Sequence, residues 1–394
     1  MTSEQLQLQL ATRRLLAQRL AELVAQLPEP PAPDAARAVA DARDLGWLEL
    51  GLPESVGGAG GLGELALVHE ELGRGLAPSL VTSMTLAARL VLHCTPGRTR
   101  DDLLAGLAAG SVTATPALDV FGDQPATGLP VVAVSRGGLR LDGQVSHVVD
   151  ADTADQLLVA ARDGDGRVQL LQVARASPGV HVALQDGFCD LPVATLGFDE
   201  VELPGSQRLE GDAVAALRAL RVEALLLSAA RSVGGGRAVL ARTVDHVATR
   251  QQFGRAIGTF QAVQHQLATA ATALDAAGLA VAQAAAELEA AGAQLAQAPE
   301  AALRAVARTA GVAALAAGAA FTDATLMAHQ LHGGMGFVLD SPLHLWSARA
   351  AGDPTAPGGR ARVLDVLSQG LGLTPDAFEV RPHHREAGAS TGAA

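Results

Sequence analysis

Hydrophobic periodicity changes twice along this chain, and that double change limits the folds open to it. From Ser3 to about Gly110, Leu and Ala recur every three or four residues, the spacing that gathers apolar side chains on one face of a helix. Pro28 to Pro33 separates the first such helix from the second. Between Ser111 and about Arg208 the period shortens to two, in runs such as Leu139 to Val149, Gln156 to Ala161 and Val168 to Val173, divided by Gly and Asp turns. From Asp212 to about Leu373 the helical spacing returns and predicts four long helices packed as a bundle, whose core accepts cofactors between facing helices. The order predicts an α+β protein. Its N-terminal helical domain covers 1–110, its middle antiparallel β domain 111–209 and its C-terminal four-helix bundle 210–375. Residues 376–394 read as a disordered tail, in which His383-His384 is an exposed pair rather than a metal site.

Composition removes several chemistries. The 394 residues include no Lys, no Asn, no Tyr and one Ile, Ile257, so no P-loop lysine, Schiff-base lysine or tyrosine acid is available. A net charge of -12 argues against affinity for nucleic acid or anionic membranes, so any phosphate-bearing ligand falls to local Arg clusters. Cys94 and Cys189 have neither metal-ligand spacing nor a disulfide framework, which fits a reducing, cytoplasmic setting. Met1 to Leu20 is amphipathic rather than continuously apolar, and so reads as neither a signal peptide nor a membrane span. The Ala-rich stretch from Ala268 to Ala320 is broken by Asp275, Glu287, Glu289, Glu300 and Arg304, which predicts buried bundle helices rather than a membrane segment.

Two segments carry the chemical signal. One is Arg250-Gln251-Gln252-Phe253-Gly254-Arg255-Ala256-Ile257-Gly258-Thr259-Phe260-Gln261, the other Gln330-Leu331-His332-Gly333-Gly334-Met335-Gly336-Phe337. An Arg, a Phe and Gln side chains set around glycines can meet a dinucleotide's pyrophosphate with a fork of donors and its adenine with a flat apolar face. In type and order the two segments resemble the paired flavin-binding signatures of the acyl-CoA dehydrogenase family. Leu45-Gly46-Trp47 through Gly57-Gly58-Ala59-Gly60 and Leu196-Gly197-Phe198-Asp199-Glu200 fall where that family has its N-terminal loop and its exit from the β domain, so the resemblance covers nearly the whole chain.

The resemblance implies FAD. It assigns Arg250 and Phe253 to the pyrophosphate and adenosine, Gln261 to an amide contact on the next helix, and Gln330, Gly333 and Gly334 to the turn closing on the adenosine portion. In the family these contacts are shared across a dimer interface, which implies a homodimer, a homotetramer or a mixed oligomer with a homologous subunit. For the isoalloxazine ring the family uses a Thr-Glu-Pro-x-x-Gly-Ser and a Trp-Ile-Thr-Asn segment. Here Thr115-Pro116-Ala117-Leu118-Asp119 and His147-Val148-Val149-Asp150 stand in those places, leaving Thr115 and Val149 at the ring edge.

The base is the departure. Dehydrogenation of an acyl-CoA takes a proton from the carbon beside the thioester, which needs a carboxylate in a water-free site. The family's usual Tyr-Glu-Gly register falls on Ala356-Pro357-Gly358. Glu223, close to the place where some members carry the base on the first bundle helix, is one replacement, and it shares a helix face with Ala230 and Gly234, small residues that would leave room for a substrate. Its neighbours one turn away offer no pairing Arg. Asp353, in Gly352-Asp353-Pro354, is the other, as a base or as a cap before Pro354. Arg349 could meet CoA phosphates or pair with Asp353. Three functions remain open: an FAD-dependent acyl-CoA dehydrogenase passing electrons to an acceptor such as an electron-transfer flavoprotein, a base-deficient partner subunit of a heteromeric enzyme, or a homologue with non-redox thioester chemistry.

Overall fold

The computed structural model describes residues 2–29, 32, 34–117, 129–135, 137–185, 191–292, 295–352, 363–364, 367–368 and 371. Five helices come first: α1 (Ser3–Val24), α2 (Ala35–Asp44), α3 (Leu62–Arg74), α4 (Leu80–Leu92) and α5 (Arg98–Ala108). Local chemistry sets their starts. The Thr2 side chain accepts from the Gln5 amide while Gln5 reaches back to Thr2, and Asp34 caps α2 through the Arg37 amide. α4 is the most buried of the five; its neighbours leave it almost no solvent face.

The middle domain contains β1 (Ala114–Ala117), β2 (Val131–Ser135), β3 (Gly138–Val149), β4 (Gln156–Arg162), β5 (Val168–Ala174), β6 (Val180–Gln185), β7 (Val193–Leu203) and β8 (Arg208–Leu209). They form one sheet in the order β6-β7-β3-β2-β4-β5-β8, with β1 also on β4. The antiparallel expectation is corrected in part, since β1 runs parallel to β4, pairing Thr115 with Leu157, and β2 meets β4 in parallel at Val131 and Arg162. β1 enters from the helical domain rather than by a hairpin, so nothing forces it antiparallel.

The C-terminal region holds α6 (Ala213–Thr249), a short hairpin of β9 (Gln251–Gln252) and β10 (Arg255–Ala256), then α7 (Gln261–Ala290), α8 (Glu300–His332) and α9 (Leu343–Gly352). Asp212 starts α6 by accepting from the Ala215 amide at 3.0 Å. Among the described residues three of these helices are long, and the fourth spans 10 residues. α6 lies against α3 with no space between backbones. A Cβ on Gly73 would fall 2.0 Å from the Arg231 carbonyl oxygen, and one on Gly234 would fall 1.7 Å from that of Glu70. Gly234 therefore serves helix packing, which corrects its reading as room for a substrate.

α7 and α8 are each long and apolar enough to cross a membrane by length and composition. The expectation of buried helices needs correction for α7, because only 22% of its most apolar window is covered within one chain. Alanine lets a face be apolar without contributing to its own core.

Candidate functional site

The two glycine-containing segments meet at one end of the bundle. Arg250 ends α6, and the chain turns back at once: Gln252 pairs with Arg255 and Gln251 with Ala256 across the two-residue turn Phe253-Gly254. Both turn residues have positive φ, +53° at Phe253 and +79° at Gly254, the geometry of a tight hairpin. For a bulky residue that backbone is strained, and Phe253 is nevertheless 92% exposed. Its ring touches Phe260 edge to face at 6.1 Å, while the Arg255 guanidinium covers the other ring at 4.1 Å. Gln261 opens α7 directly after this turn.

Gln330 lies exposed in the last turn of α8, before Gly333 (φ +59°) and Gly334. Gly333 needs its freedom for the backbone, but Gly334 has no such need. A Cβ there would meet nothing within 4 Å in this chain. The missing side chain leaves the backbone open to a bound group. His246 on α6 and His332 on α8 stack at 4.1 Å and join the two segments. Burial, then His246, pushes His332 down to about 4; burial and Arg250 lower His246. Beside them the Arg242 guanidinium sits 4.8 Å over the Trp346 ring.

Thr115 and Val149 are also brought together, since the Thr115 hydroxyl donates to the Val149 carbonyl at 2.8 Å. The adjoining Asp150 has φ +58° and is buried against the start of α4, where Ser79 and Ser83 donate to its two oxygens at 2.6 and 2.5 Å. Burial pushes its carboxyl up to about 6 against those bonds, with Arg349 lowering it. Arg349 thus acts on the β domain from α9. Through Ser83, the neighbour of Thr82, these residues lie beside the middle of α6. Arg231, bonded to Thr82 on α4, lies 19 residues before Arg250 on α6, about 28 Å along the axis.

Glu223 is 1% exposed. The Nε and Nη2 groups of Arg89 donate to its two oxygens at 2.9 and 2.5 Å, and His93 Nε2 meets Oε1 at 3.1 Å. Burial alone would raise its pKa, but Arg89 and then His93 bring it down to about 2. A carboxylate so held is a weak proton acceptor. The residues one turn from Glu223 offer no Arg, as expected; the pairing Arg89 comes from α4, 134 positions away in sequence, where local spacing could not show it. Asp353 lies outside the described residues.

The sequence reading missed Arg89, His93, Asp150 and the stacked histidines. A signal for the first two was present, since Arg89 and His93 stand four apart on one face at the end of a helix that carries no other charged residue. His246 and His332 belong to different helices and gave none.

The family model for the acyl-CoA dehydrogenase N-terminal domain matches residues 2–111, and that for the C-terminal domain matches residues 213–371. Benzylmalonyl-CoA dehydrogenase of Aromatoleum aromaticum is 32% identical over 70% of this chain and 77% of its own. Acyl-CoA dehydrogenase IpdE2 of Mycobacterium tuberculosis is 30% identical over 92% and 98%. Among solved structures, a variant of the Tcur3481-Tcur3483 steroid ACAD superposes with a TM-score of 0.76 at 28% identity, over 94% of this chain and 98% of that one. With these likenesses spanning both helical regions and the sheet between them, the chain belongs to the acyl-CoA dehydrogenase family.

Proposed function

We propose that this chain is an FAD-dependent subunit that takes part in the α,β-dehydrogenation of an acyl-CoA thioester. The observation that carries the reading is the exposed end of the bundle, where the Phe253-Gly254 hairpin, Arg250, Gln330 and the open backbone at Gly334 converge around the His246–His332 stack. The residues fit the group. Arg250 supplies forked donors for a pyrophosphate, Phe253 an aromatic face, and Gly334 a backbone that a bound molecule can approach. When bound, FAD supplies the acceptor for the β-hydride. Thr115 and Val149 would flank its ring, beside the middle of α6 rather than its Arg250 end. In the family the two contact sets are shared across a dimer interface, so each site would draw Arg250 and Phe253 from a second subunit. The apolar outer face of α7, with Leu279 exposed, and the exposed Leu326, Phe337 and Leu339 supply a surface for that subunit. Purified oligomer should show flavin absorption that bleaches with an acyl-CoA. Colourless protein that fails to take up added FAD in any oligomeric form would end this reading.

One observation favours the partner-subunit form. Glu223, close to the place where some family members carry a base on this helix, is bound by Arg89 and His93 and so is not poised to take a proton. Its companion would then supply the base and both chains the flavin sites, with reoxidation left to an acceptor such as an electron-transfer flavoprotein. Co-expression with a homologous subunit separates the forms: bleaching only in the mixed oligomer supports a heteromer, and bleaching by this chain alone refutes it.

A further inference from the structure

At the end of β3 a single peptide unit is tied to all three regions of the chain. The amide between Val149 and Asp150 is fixed on both sides: the Thr115 hydroxyl donates to its carbonyl at 2.8 Å, and its N–H donates at 2.8 Å to the carbonyl of Pro192, just before β7. From the same residue the Asp150 carboxyl reaches out of the β domain to α4, where Ser79 and Ser83 each donate to one of its oxygens. The two serines stand four apart and share a face at the start of that helix. Arg349 of α9 lies near enough to lower the Asp150 pKa, so the bundle meets the same point.

Nothing in the turn itself calls for an acid. Asp150 has φ +58°, a conformation open to asparagine as well. An asparagine could accept from one serine and donate to the other, without burying a titrating group that is only 2% exposed. Burial instead pushes the carboxyl up to about 6, a displacement of the kind that gathers at functional sites. Among the described residues, the charged groups that face it are Asp152 on the turn after β3, which raises the pKa, and Arg349, which lowers it. α4 presents the two hydroxyls and the β7 side the Pro192 carbonyl.

We propose that Asp150 is a positioning residue for the cofactor ring: it anchors the Val149–Asp150 peptide to α4, so that Val149 stays at the ring edge, and when ionised it sets a negative charge beside that edge. The inference rests on the FAD reading above and gives it a residue that reading does not use. The test follows the visible absorption band of the flavin-loaded oligomer with pH, together with FAD affinity measured by fluorescence titration. Asp150→Asn keeps the anchor without the proton, and Asp150→Ala removes both. The parent band should shift between about pH 5 and about pH 7.5 with its midpoint near 6, coinciding with that of Asp150→Asn at the acid end and departing from it above. The Asp150→Asn band should not move across this range, and its affinity should stay within about twofold of the parent's at about pH 5. Asp150→Ala should bind FAD about tenfold more weakly. Ser83→Ala removes one anchoring bond from the other side and should weaken binding in the same direction, which keeps the test open if Asp150→Ala does not fold. A role in folding alone would lower the thermal midpoint of Asp150→Ala and Ser83→Ala while their flavin band and affinity stay those of the parent. That result, or a parent band that does not move with pH, overturns the proposal and leaves the FAD reading in place. Protein that takes up no FAD in any oligomeric form overturns both.

Discussion

The imidazole of His246 lies flat on that of His332, with centroids 4.1 Å apart and planes 12° from parallel. One ring sits four residues before Arg250 and the other immediately before Gly333, so the stack fixes the spacing of the two signature segments. Burial and neighbouring positive charge lower the pKa of both rings and so favour their neutral forms.

Arg250→Ala is expected to lower FAD occupancy. A charge-assisted fork at a pyrophosphate contributes about 1.5 to 3 kcal/mol, and the chain has no lysine to substitute. Flavin absorbance after gel filtration reads the effect. Gln330→Ala should act in the same direction but more weakly, and full occupancy in Arg250→Ala would remove the hairpin from the cofactor site.

Acid should loosen the protein in a defined window. The His332 ring is held down to about 4 and the His69 ring to about 3, while an unfolded imidazole takes its proton near 6.5. The unfolded chain therefore binds more protons below 6.5, so stability is full above that pH and falls as pH drops toward 4 and then 3. Thermal midpoints measured across this range check the sign. His332→Gln should flatten the upper part of the fall.

Asp150 carries the opposite sign. Burial raises its carboxyl from 3.8 to about 6, so the folded state keeps a proton that the unfolded state releases. The resulting cost grows from pH 3.8 to about 6 and is complete above it, roughly 3 kcal/mol. Asp150→Asn should gain stability relative to the parent at about pH 7.5 compared with about pH 4, read as the change in midpoint difference. An equal difference at both would show that Asp150 does not keep its proton.

Breaking the Arg89–Glu223 pair from one side should be severe. Arg89→Met or Glu223→Leu alone leaves a buried charge without its partner, a loss of about 3 to 5 kcal/mol, whereas the two together should recover most of it. Urea unfolding of the three variants decides it. Additive losses would mean that the pair is not coupled.

Light scattering should find an oligomer at micromolar concentration. Leu279→Glu on the exposed face of α7 should shift it toward monomer and release flavin together with the subunit. A monomer that still binds flavin tightly would contradict the shared site.

Sequence by itself determined the order of helix, sheet and helix, because period and turn chemistry are local properties that each segment states alone. It also exposed Arg250, Phe253 and the Gly333-Gly334 turn, whose residue types are rare in that combination. Gly234 and Glu223 were out of its reach. The meaning of Gly234 depends on the Glu70 carbonyl of a helix more than a hundred residues earlier, and that of Glu223 on Arg89 across the core. A one-dimensional pattern carries no record of which helix faces which. Only the tertiary structure decided that the Glu223 carboxylate is bound into an ion pair, since burial and a partner charge, not residue identity, set whether it can accept a proton.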